Sequence, residues 1–245
     1  MSNIVILGAT SAIAEQVARL YAGSEQHILL VARNHEALST VANDLLVRGA
    51  GKVDTLAYDF SNLENIEQLV EKITAVLGRI DLLFVAYGSL PKQLECEASI
   101  ELTQAEINLN YLSVVSVLTG LSQVMVKQGT GTIAVISSVA GDRGRKSNFI
   151  NGTVKGALSI YLQGLRNALS DKGVHVLTVK PGFVDTPMTS DFKKGILWAK
   201  PEKIAKDIYR AITKNKDVIY TPWFWRWIML IIKSIPERIF KKMNL

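Results

Sequence analysis

The chain has 245 residues, 48% of them hydrophobic, a formal net charge of +6 and one cysteine. A chain of this size buries one large core, and a single α/β domain is common at this length. The lone Cys96 excludes an intramolecular disulfide, and we expect it at the surface or in a loop. Zinc-ligand spacings and nucleic-acid motifs are absent from the sequence, so we expect neither a metal site nor a nucleic-acid partner.

Short runs rich in β-branched residues alternate with longer amphipathic runs, which predicts repeated βα units and a parallel sheet. The short runs are apolar on both faces, as in strands covered by helices on both sides. We predict strands near Asn3–Leu7, His27–Ala32, Lys52–Ala57, Ile80–Ala86, Gly131–Ser137, Val174–Lys180 and Val218–Tyr220. We predict helices near Ala12–Ala22, His35–Arg48, Leu63–Leu77, a long one ending near Lys127, and Asn148–Asp171. The predicted fold class is α/β, a single doubly wound Rossmann-type parallel sheet of about seven strands with helices on both faces.

The turn after the first strand reads Gly8-Ala-Thr-Ser-Ala-Ile-Ala14 and opens the first helix. Backbone N–H groups and the helix dipole at such a turn attract a pyrophosphate, although an ordinary strand-to-helix turn fits this segment equally well. Arg33 follows the second strand, where a guanidinium suits a ribose 2′-phosphate through forked hydrogen bonds. A solvated loop arginine is the alternative.

The most informative spacing joins Ser138, at the end of the fifth predicted strand, to Asn151 and Lys155 in the helix that follows. This spacing resembles the Ser, Tyr-x-x-x-Lys arrangement of the short-chain dehydrogenases/reductases, and the resemblance covers nearly the whole chain. It implies a nicotinamide-dependent carbonyl/alcohol oxidoreductase. The chain departs from the family at position 151, which is Asn rather than Tyr, and at Ala12 and Ala14, which replace two glycines.

The resemblance implies a role for each catalytic position. The family's tyrosine gives a proton to the carbonyl oxygen, the lysine lowers the phenol pKa and holds the ribose, and the serine polarises the carbonyl. Asn110 fits the asparagine of the water relay, with Asn108 as the fallback. The residues implied to bind the cofactor are Gly8, Thr10, Ser11, Ile13, Arg33, Asp59, Phe60, Ala86, Gly88, Lys155, Pro181, Gly182, Val184 and Thr186. Because NAD-preferring relatives carry an acid at position 33, NADP(H) is favoured over NAD(H).

The carboxamide of Asn151 is no useful proton donor near neutral pH. General acid–base catalysis contributes about 10²- to 10⁴-fold, so we expect a loss of that order if nothing replaces the phenol. Three explanations remain open. The substitution was introduced to trap a complex; or Ser138, Lys155 or water donates the proton; or the protein binds cofactor without catalysis.

A narrower resemblance links the loop Ser138-Val-Ala-Gly-Asp-Arg-Gly-Arg-Lys-Ser-Asn-Phe149 and the tail to the decaprenylphosphoryl-2-keto-ribose reductases. It implies a lipid-linked sugar substrate and a partner oxidase. Arg143, Arg145 and Lys146 lie between Ser138 and Asn151, so we expect them at the mouth of the site, where arginine forks suit a phosphate. A solvated basic loop is the alternative.

We predict that residues 1–221 form the Rossmann domain and that residues 222–245 form a separate amphipathic segment. This tail carries five basic residues and one acid, with tryptophans beside Arg and Lys and with Pro236 between two pieces. Its longest uncharged run is too short to span a bilayer, so we expect it to lie in the membrane interface. Packing on the domain or across a dimer is the alternative. The expected location is cytoplasmic and peripheral at the inner face of the membrane, and the resemblance implies a homo-oligomer.

The first functional hypothesis is an NADP(H)-dependent ketoreductase that acts on a lipid-linked sugar or another hydrophobic carbonyl. A 3-oxoacyl-thioester reductase is the enzymatic alternative, because it uses the same scaffold. The non-enzymatic alternative is a catalytically dead subunit that binds cofactor.

Overall fold

The computed structural model describes residues 2–243. Seven parallel strands form one sheet in the order β3-β2-β1-β4-β5-β6-β7. The strands are β1 (Ser2–Leu7), β2 (Gln26–Ala32), β3 (Lys52–Ala57), β4 (Leu82–Val85), β5 (Gly131–Ile136), β6 (Val174–Pro181) and β7 (Val218–Thr221). This confirms the doubly wound sheet with helices on both faces.

Ten α-helices accompany the strands in the described part of the chain. They are α1 (Ala12–Leu20), α2 (His35–Val47), α3 (Ile66–Leu77), α4 (Gln93–Ala98), α5 (Ile100–Ile107), α6 (Ser113–Gln128), α7 (Phe149–Leu169), α8 (Pro201–Thr213), α9 (Trp225–Ser234) and α10 (Glu237–Phe240). The predicted strands and helices are confirmed, mostly with small shifts at their ends. The fourth strand is shorter than predicted, and Cys96 is buried in α4 rather than in a surface loop.

The sheet separates two hydrophobic cores, because side chains on one strand point alternately to its two faces. In β1, Ile4 and Ile6 contribute to the core that includes residues of α1, α2 and α8. Val5 and Leu7 contribute to the opposite core, with residues of α3, α6 and α7. This burial on both faces explains why the strands read as continuous apolar runs.

The strand order of the sheet reverses at β1, which pairs with β2 on one side and with β4 on the other. In open α/β sheets, ligands bind outside the carboxyl ends of the strands at such a switch point. The loops after β1 and β4 are therefore where the fold directs a ligand.

The helical stretch Ile100–Gln128 is 29 residues long and apolar enough, by length and composition, to cross a membrane. Its side chains include Val117, Leu121 and Met125, which are fully buried in the core against the sheet. The α6 part of this stretch therefore packs in the core of the domain, whereas α5 at its start has no buried residue.

The tail folds back onto the domain. Trp225 and Met229 of α9 are buried with Val139, which follows β5. Pro236 separates α9 from α10, as predicted. Residue 1 of the predicted domain and residues 244–245 of the predicted tail lie outside the described residues.

Candidate active site

A cavity of about 350 Å³ opens at the carboxyl ends of the strands. It brings together residues from the loops after β1, β4, β5 and β6 and from the start of α7. Most of the predicted site residues line it: Thr10, Ser11, Ile13, Ala86, Gly88, Ser138, Asn151, Lys155, Pro181, Gly182, Val184 and Thr186. Residues that are far apart in sequence thus meet at the switch point of the sheet.

A second hollow of about 150 Å³ holds the remaining residues predicted to bind cofactor, namely Gly8, Arg33, Asp59 and Phe60. It shares Thr10, Ser11, Ala86 and Gly88 with the larger cavity, so the two form one trough. Arg33 is exposed at its edge. The pKa of Asp59 is lowered, chiefly by the hydrogen bond from the Ser61 backbone N–H and in smaller part by the charge of Arg33.

Ser138 is held at the cavity by the turn that follows β5. Its Oγ accepts a hydrogen bond from the Ala140 backbone N–H at 3.0 Å, which begins the 3₁₀ turn Val139–Asp142. Because this bond uses a lone pair of the hydroxyl oxygen, the hydroxyl proton stays available to a ligand. The neighbouring Ser137 points the other way and donates to the Lys155 carbonyl at 3.0 Å, which joins β5 to α7.

Lys155 is buried, and its Nζ lies 3.5 Å from the carbonyl oxygen of Ile136. Burial lowers the pKa of Lys155 to about 8, while the charge of Glu106 acts in the opposite direction. A buried ammonium with one long hydrogen bond has donors to spare for a ligand. Lys155 is thus suited to hold hydroxyl groups in the trough.

Asn110 lies in a π-helical turn, Asn108–Leu112, that interrupts the helix between α5 and α6. Such turns occur frequently at functional sites. The Asn110 amide accepts from the Ser89 backbone N–H at 3.0 Å and donates to the Glu106 carboxylate at 2.8 Å. The structure therefore brings Asn110, rather than the fallback Asn108, against the segment after β4.

Gly88 is required where Asn110 and Lys155 converge. Its φ is +153°, and a Cβ atom there would lie 2.5 Å from Asn110 Oδ1 and 3.5 Å from Lys155 Nζ. A larger residue would clash with the Asn110 amide and leave only ordinary contact with Lys155.

Sequence reasoning missed Ser89 and Glu106. Ser89 lines the cavity and donates to Glu106 Oε2 at 2.5 Å. The one available signal was the spacing of Glu106 and Asn110, which puts them on the same helix face.

Asn151 is buried in α7, four residues before Lys155, and lines the cavity with Ser138. The spacing puts Asn151 and Lys155 on one helix face. Tyr87 carries the one phenol among the residues that line this cavity, and its hydroxyl is hydrogen-bonded to Ser113 Oγ of α6 at 3.0 Å. Burial raises the pKa of Tyr87, and its ring stacks on Phe60 at 3.8 Å. Tyr87 is therefore a packed core phenol and a poor replacement for an acid at position 151.

The structure corrects the expected role of Arg143. Its guanidinium donates to the carbonyls of Ile232 and Ile235, both at 2.6 Å, and to Glu237 at 2.9 Å. It also lies 3.7 Å from the centre of the Phe240 ring. Arg143 thus fastens the tail to the domain, because α9 ends with carbonyls that need partners. The hydrogen bonds of its two terminal nitrogens go to the tail rather than to the cavity.

The other two basic residues of this loop differ from Arg143. Arg145 is partly buried, and its Nε has no hydrogen-bond partner among the described residues. Burial lowers the pKa of Arg145. Lys146 is exposed. Neither lines the cavity, so the structure does not place them on its wall.

A buried polar cluster beside the site was not foreseen. Asp142 pairs with Lys180 at 2.5 Å and accepts from the Tyr220 hydroxyl at 2.6 Å. The pKa of Tyr220 is raised, first by burial and then by Asp142. No spacing in the sequence pairs these residues, because Asp142 follows β5, Lys180 lies in β6 and Tyr220 lies in β7, and they meet only when these three strands are neighbours.

Comparisons with known proteins agree with this architecture. The profile of the short chain dehydrogenase family matches residues 2–196. An uncharacterized oxidoreductase of Mycobacterium tuberculosis is 33% identical over 240 residues, which cover 98% of this chain and 96% of that protein. Another, from the mprA 5′ region of Streptomyces coelicolor, is 30% identical over 98% of this chain and 95% of that protein.

Solved structures share the fold at lower sequence identity. The actinorhodin polyketide ketoreductase with NADPH superimposes with a TM-score of 0.80 at 22% identity, over 91% of this chain and 97% of that one. A Beutenbergia cavernae protein described as an NAD(P) dependent gluconate 5-dehydrogenase, with bound NADP, gives a TM-score of 0.82 at 21% identity, over 92% and 97%. The family profile and the relatives that match nearly end to end establish that this chain belongs to the short-chain dehydrogenase family of oxidoreductases.

Proposed function

We propose that the protein is an NADP(H)-dependent carbonyl reductase in which Asn151 stands where its family carries the proton-donating tyrosine. The observation that carries this proposal is the meeting of Ser138, Asn151 and Lys155 in one cavity beside Pro181-Gly182.

The residues of the trough fit a nicotinamide dinucleotide. The larger cavity and the second hollow share a wall, so an extended two-part ligand has room in both. Ser11 caps α1, whose N-terminal N–H groups suit a pyrophosphate. Lys155 would hold the ribose hydroxyls, since its buried ammonium has few partners in the chain. Arg33 would pair with a 2′-phosphate, which supports NADP(H) over NAD(H).

A bound reduced nicotinamide supplies the hydride that adds to a carbonyl carbon. Ser138 is suited to donate its free hydroxyl proton as a hydrogen bond to the carbonyl oxygen. Asn151 adds a second hydrogen-bond donor but no acid. The developing alkoxide must then take a proton from another group.

Lys155 is the ionisable group of the cavity best suited to supply that proton. A pKa of about 8 lies close to neutral pH, where general acids work best. Glu106 helps to keep Lys155 charged, and Ser89 and Asn110 orient Glu106. We therefore propose a slow but functional reductase rather than a dead cofactor-binding subunit.

We further propose a hydrophobic carbonyl substrate, such as a lipid-linked sugar. Leu90, Val184 and Met188 line the cavity, where their apolar side chains would contact such a substrate. A phosphate on such a substrate would need a cation at the mouth of the cavity, and Arg145 and Lys146 do not line that cavity. Arg143 is excluded from that role by its bonds to the tail.

Titration with NADPH and NADH tests the cofactor half of the proposal. We expect saturable binding of both, tighter for NADPH. Arg33→Asp should weaken the binding of NADPH about 10- to 100-fold, because it removes hydrogen bonds to a charged group. The binding of NADH should stay nearly unchanged. Lys72→Asp is the control, because Lys72 is an exposed cation on α3 that lines neither cavity. No saturable binding of either nucleotide would refute the proposal.

A further inference from the structure

Helix α9 exposes apolar side chains on the face that points away from the domain. Trp225 and Met229 are buried beneath it, whereas Trp223 is 69% exposed, Trp227 57% and Ile231 67%. Leu230 is exposed with them. The spacing of Trp227, Leu230 and Ile231 puts them in one stripe along α9, and Trp223 is exposed in the turn just before the helix. Large apolar groups clustered in this way mark an interaction surface, unlike single exposed ones.

The stripe continues to the cavity through a chain of aromatic rings. Trp223 contacts Phe224, and Phe224 contacts Trp225. Trp225 packs edge-on against Phe183 with ring centres 4.9 Å apart. Phe183 stacks on Trp198 at 5.3 Å, and Trp198 lies beside Phe192.

The far end of this chain borders the cavity. Phe192, Ile196 and Leu197 are exposed in the loop after β6. Met188 of the same loop is 53% exposed and also lines the cavity. The stripe of α9 and the apolar side chains of residues 188–198 thus form one surface, here called the apolar face, and the cavity borders it.

The apolar face is bordered by basic groups. Arg226 and Lys233, seven residues apart on the same side of α9, are exposed beside the stripe. Lys193 is exposed in the cavity loop together with Asp191, so the basic border lies mainly on α9. The acid of the tail, Glu237, is already paired with Arg143, so it does not offset these charges fully.

We propose that the apolar face docks on a lipid bilayer that carries anionic headgroups, with the cavity opening beside the lipid. Tryptophans flanked by Arg and Lys are typical of the membrane interface, where aromatic rings insert and cations meet the headgroups. A second copy of the chain fits less well, because a symmetric contact would bring its basic groups together. The direction of substrate entry rests on the proposed function, but docking itself does not.

Arg143 makes this surface rigid. Its bonds to the carbonyls of Ile232 and Ile235 hold the end of α9 on the domain. Trp225 anchors the start, with its indole against Gly182, where a Cβ atom would lie 1.9 Å from Trp225 Nε1. The helix would therefore bind lipid as part of the folded domain, in a fixed orientation relative to the cavity.

Co-sedimentation of the full chain with phosphatidylcholine vesicles, with and without phosphatidylglycerol, tests the proposal. We expect strong binding only to the anionic vesicles. Arg226→Glu/Lys233→Glu should weaken it by about 30-fold or more, since each basic residue near an anionic surface contributes roughly a factor of five. Trp227→Ser/Ile231→Ser should weaken it at least tenfold.

Two matched controls accompany these variants. Lys72→Glu/Lys127→Glu reverses exposed charges elsewhere, and Val47→Ser removes an apolar side chain that is 89% exposed on α2. Both should bind like the unchanged protein. NADPH binding, measured on the same samples, separates a failure of docking from a failure of the proposed function.

Orientation is read from fluorescence, because all four tryptophans (Trp198, Trp223, Trp225 and Trp227) lie on or beneath the apolar face. Brominated lipids should quench Trp198 in a variant with Phe at positions 223, 225 and 227. Equal binding by the Trp227→Ser/Ile231→Ser variant would overturn the proposal. The proposal would also be overturned if the unchanged chain bound no vesicles and formed a dimer that this variant dissociates. The apolar face would then belong to a contact with a second copy.

Discussion

Asp142 and Lys180 form a buried ion pair, with 2.5 Å between Oδ1 and Nζ and side chains that are 3% and 10% exposed. The pair ties the turn that carries Ser138 to the end of β6, next to Pro181-Gly182. Tyr220 on β7 donates to the same carboxylate, so three strand ends are joined beside the cavity. This contact fixes the position of Ser138 relative to Pro181 and Gly182, which line the same cavity.

Replacing Asp142 with Asn should destabilise the protein by about 3–5 kcal/mol. Breaking a buried pair on one side leaves the other charge uncompensated, and here that charge is the Lys180 ammonium. Urea unfolding at pH 7 measures the change. The double variant Asp142→Asn/Lys180→Met is the control and should recover most of the stability, because it removes the orphaned charge. A loss below about 1 kcal/mol in the single variant would show that the pair is not buried in solution.

Replacing Arg143 with Ala should loosen the tail without unfolding the domain. The variant loses the donors that satisfy the last carbonyls of α9, and hydrogen bonds to charged groups contribute about 1.5–3 kcal/mol each. Hydrogen exchange should therefore accelerate in residues 225–240, while the amides of β1 and β4 stay protected. Lys146→Ala, which removes an exposed cation of the same loop, should leave the exchange of the tail unchanged. Unaltered protection of α9 in the Arg143 variant would contradict the assigned role.

Lys155 should make the free energy of unfolding depend on pH above about 8. Burial lowers its pKa to about 8 in the folded protein, below the ordinary lysine value of about 10.4. Between these values the unfolded chain binds more protons, so stability rises with pH there, by at most about 1.4 kcal/mol per pH unit. Below pH 8 Lys155 is protonated in both the folded and the unfolded chain. The free-energy cost of its buried charge is therefore constant there.

The difference between the unchanged protein and Lys155→Met, in urea unfolding at pH 7, 8, 9 and 10, isolates this contribution from other titrating groups. Between pH 8 and 10 the free energy of unfolding of the unchanged protein should rise relative to that of the variant. Parallel stability profiles across this range would show that Lys155 keeps its ordinary pKa.

Most of the fold was predictable because the central strands are apolar on both faces and most of the helices are amphipathic. The sites at the strand ends were predictable for the same reason, since parallel strands put Gly8, Gly88, Ser138 and Gly182 at one edge of the sheet. Arg143 was misassigned because its sequence position, between Ser138 and Asn151, says nothing about the tail that folds over it. Its partners are about ninety residues away, at 232 to 237. The Asp142–Lys180 pair was missed because it depends on which strands become neighbours.

The most direct test of the account is the rate of carbonyl-dependent NADPH oxidation by Asn151→Tyr compared with the unchanged protein. The variant introduces a phenol on the helix face of Lys155, next to Ser138 in the cavity. We expect an increase of about 10²- to 10⁴-fold in kcat, the usual contribution of general acid catalysis, with little change in NADPH affinity. An unchanged rate, in a variant that is folded and binds NADPH, would contradict the claim that position 151 is the missing proton donor of this site.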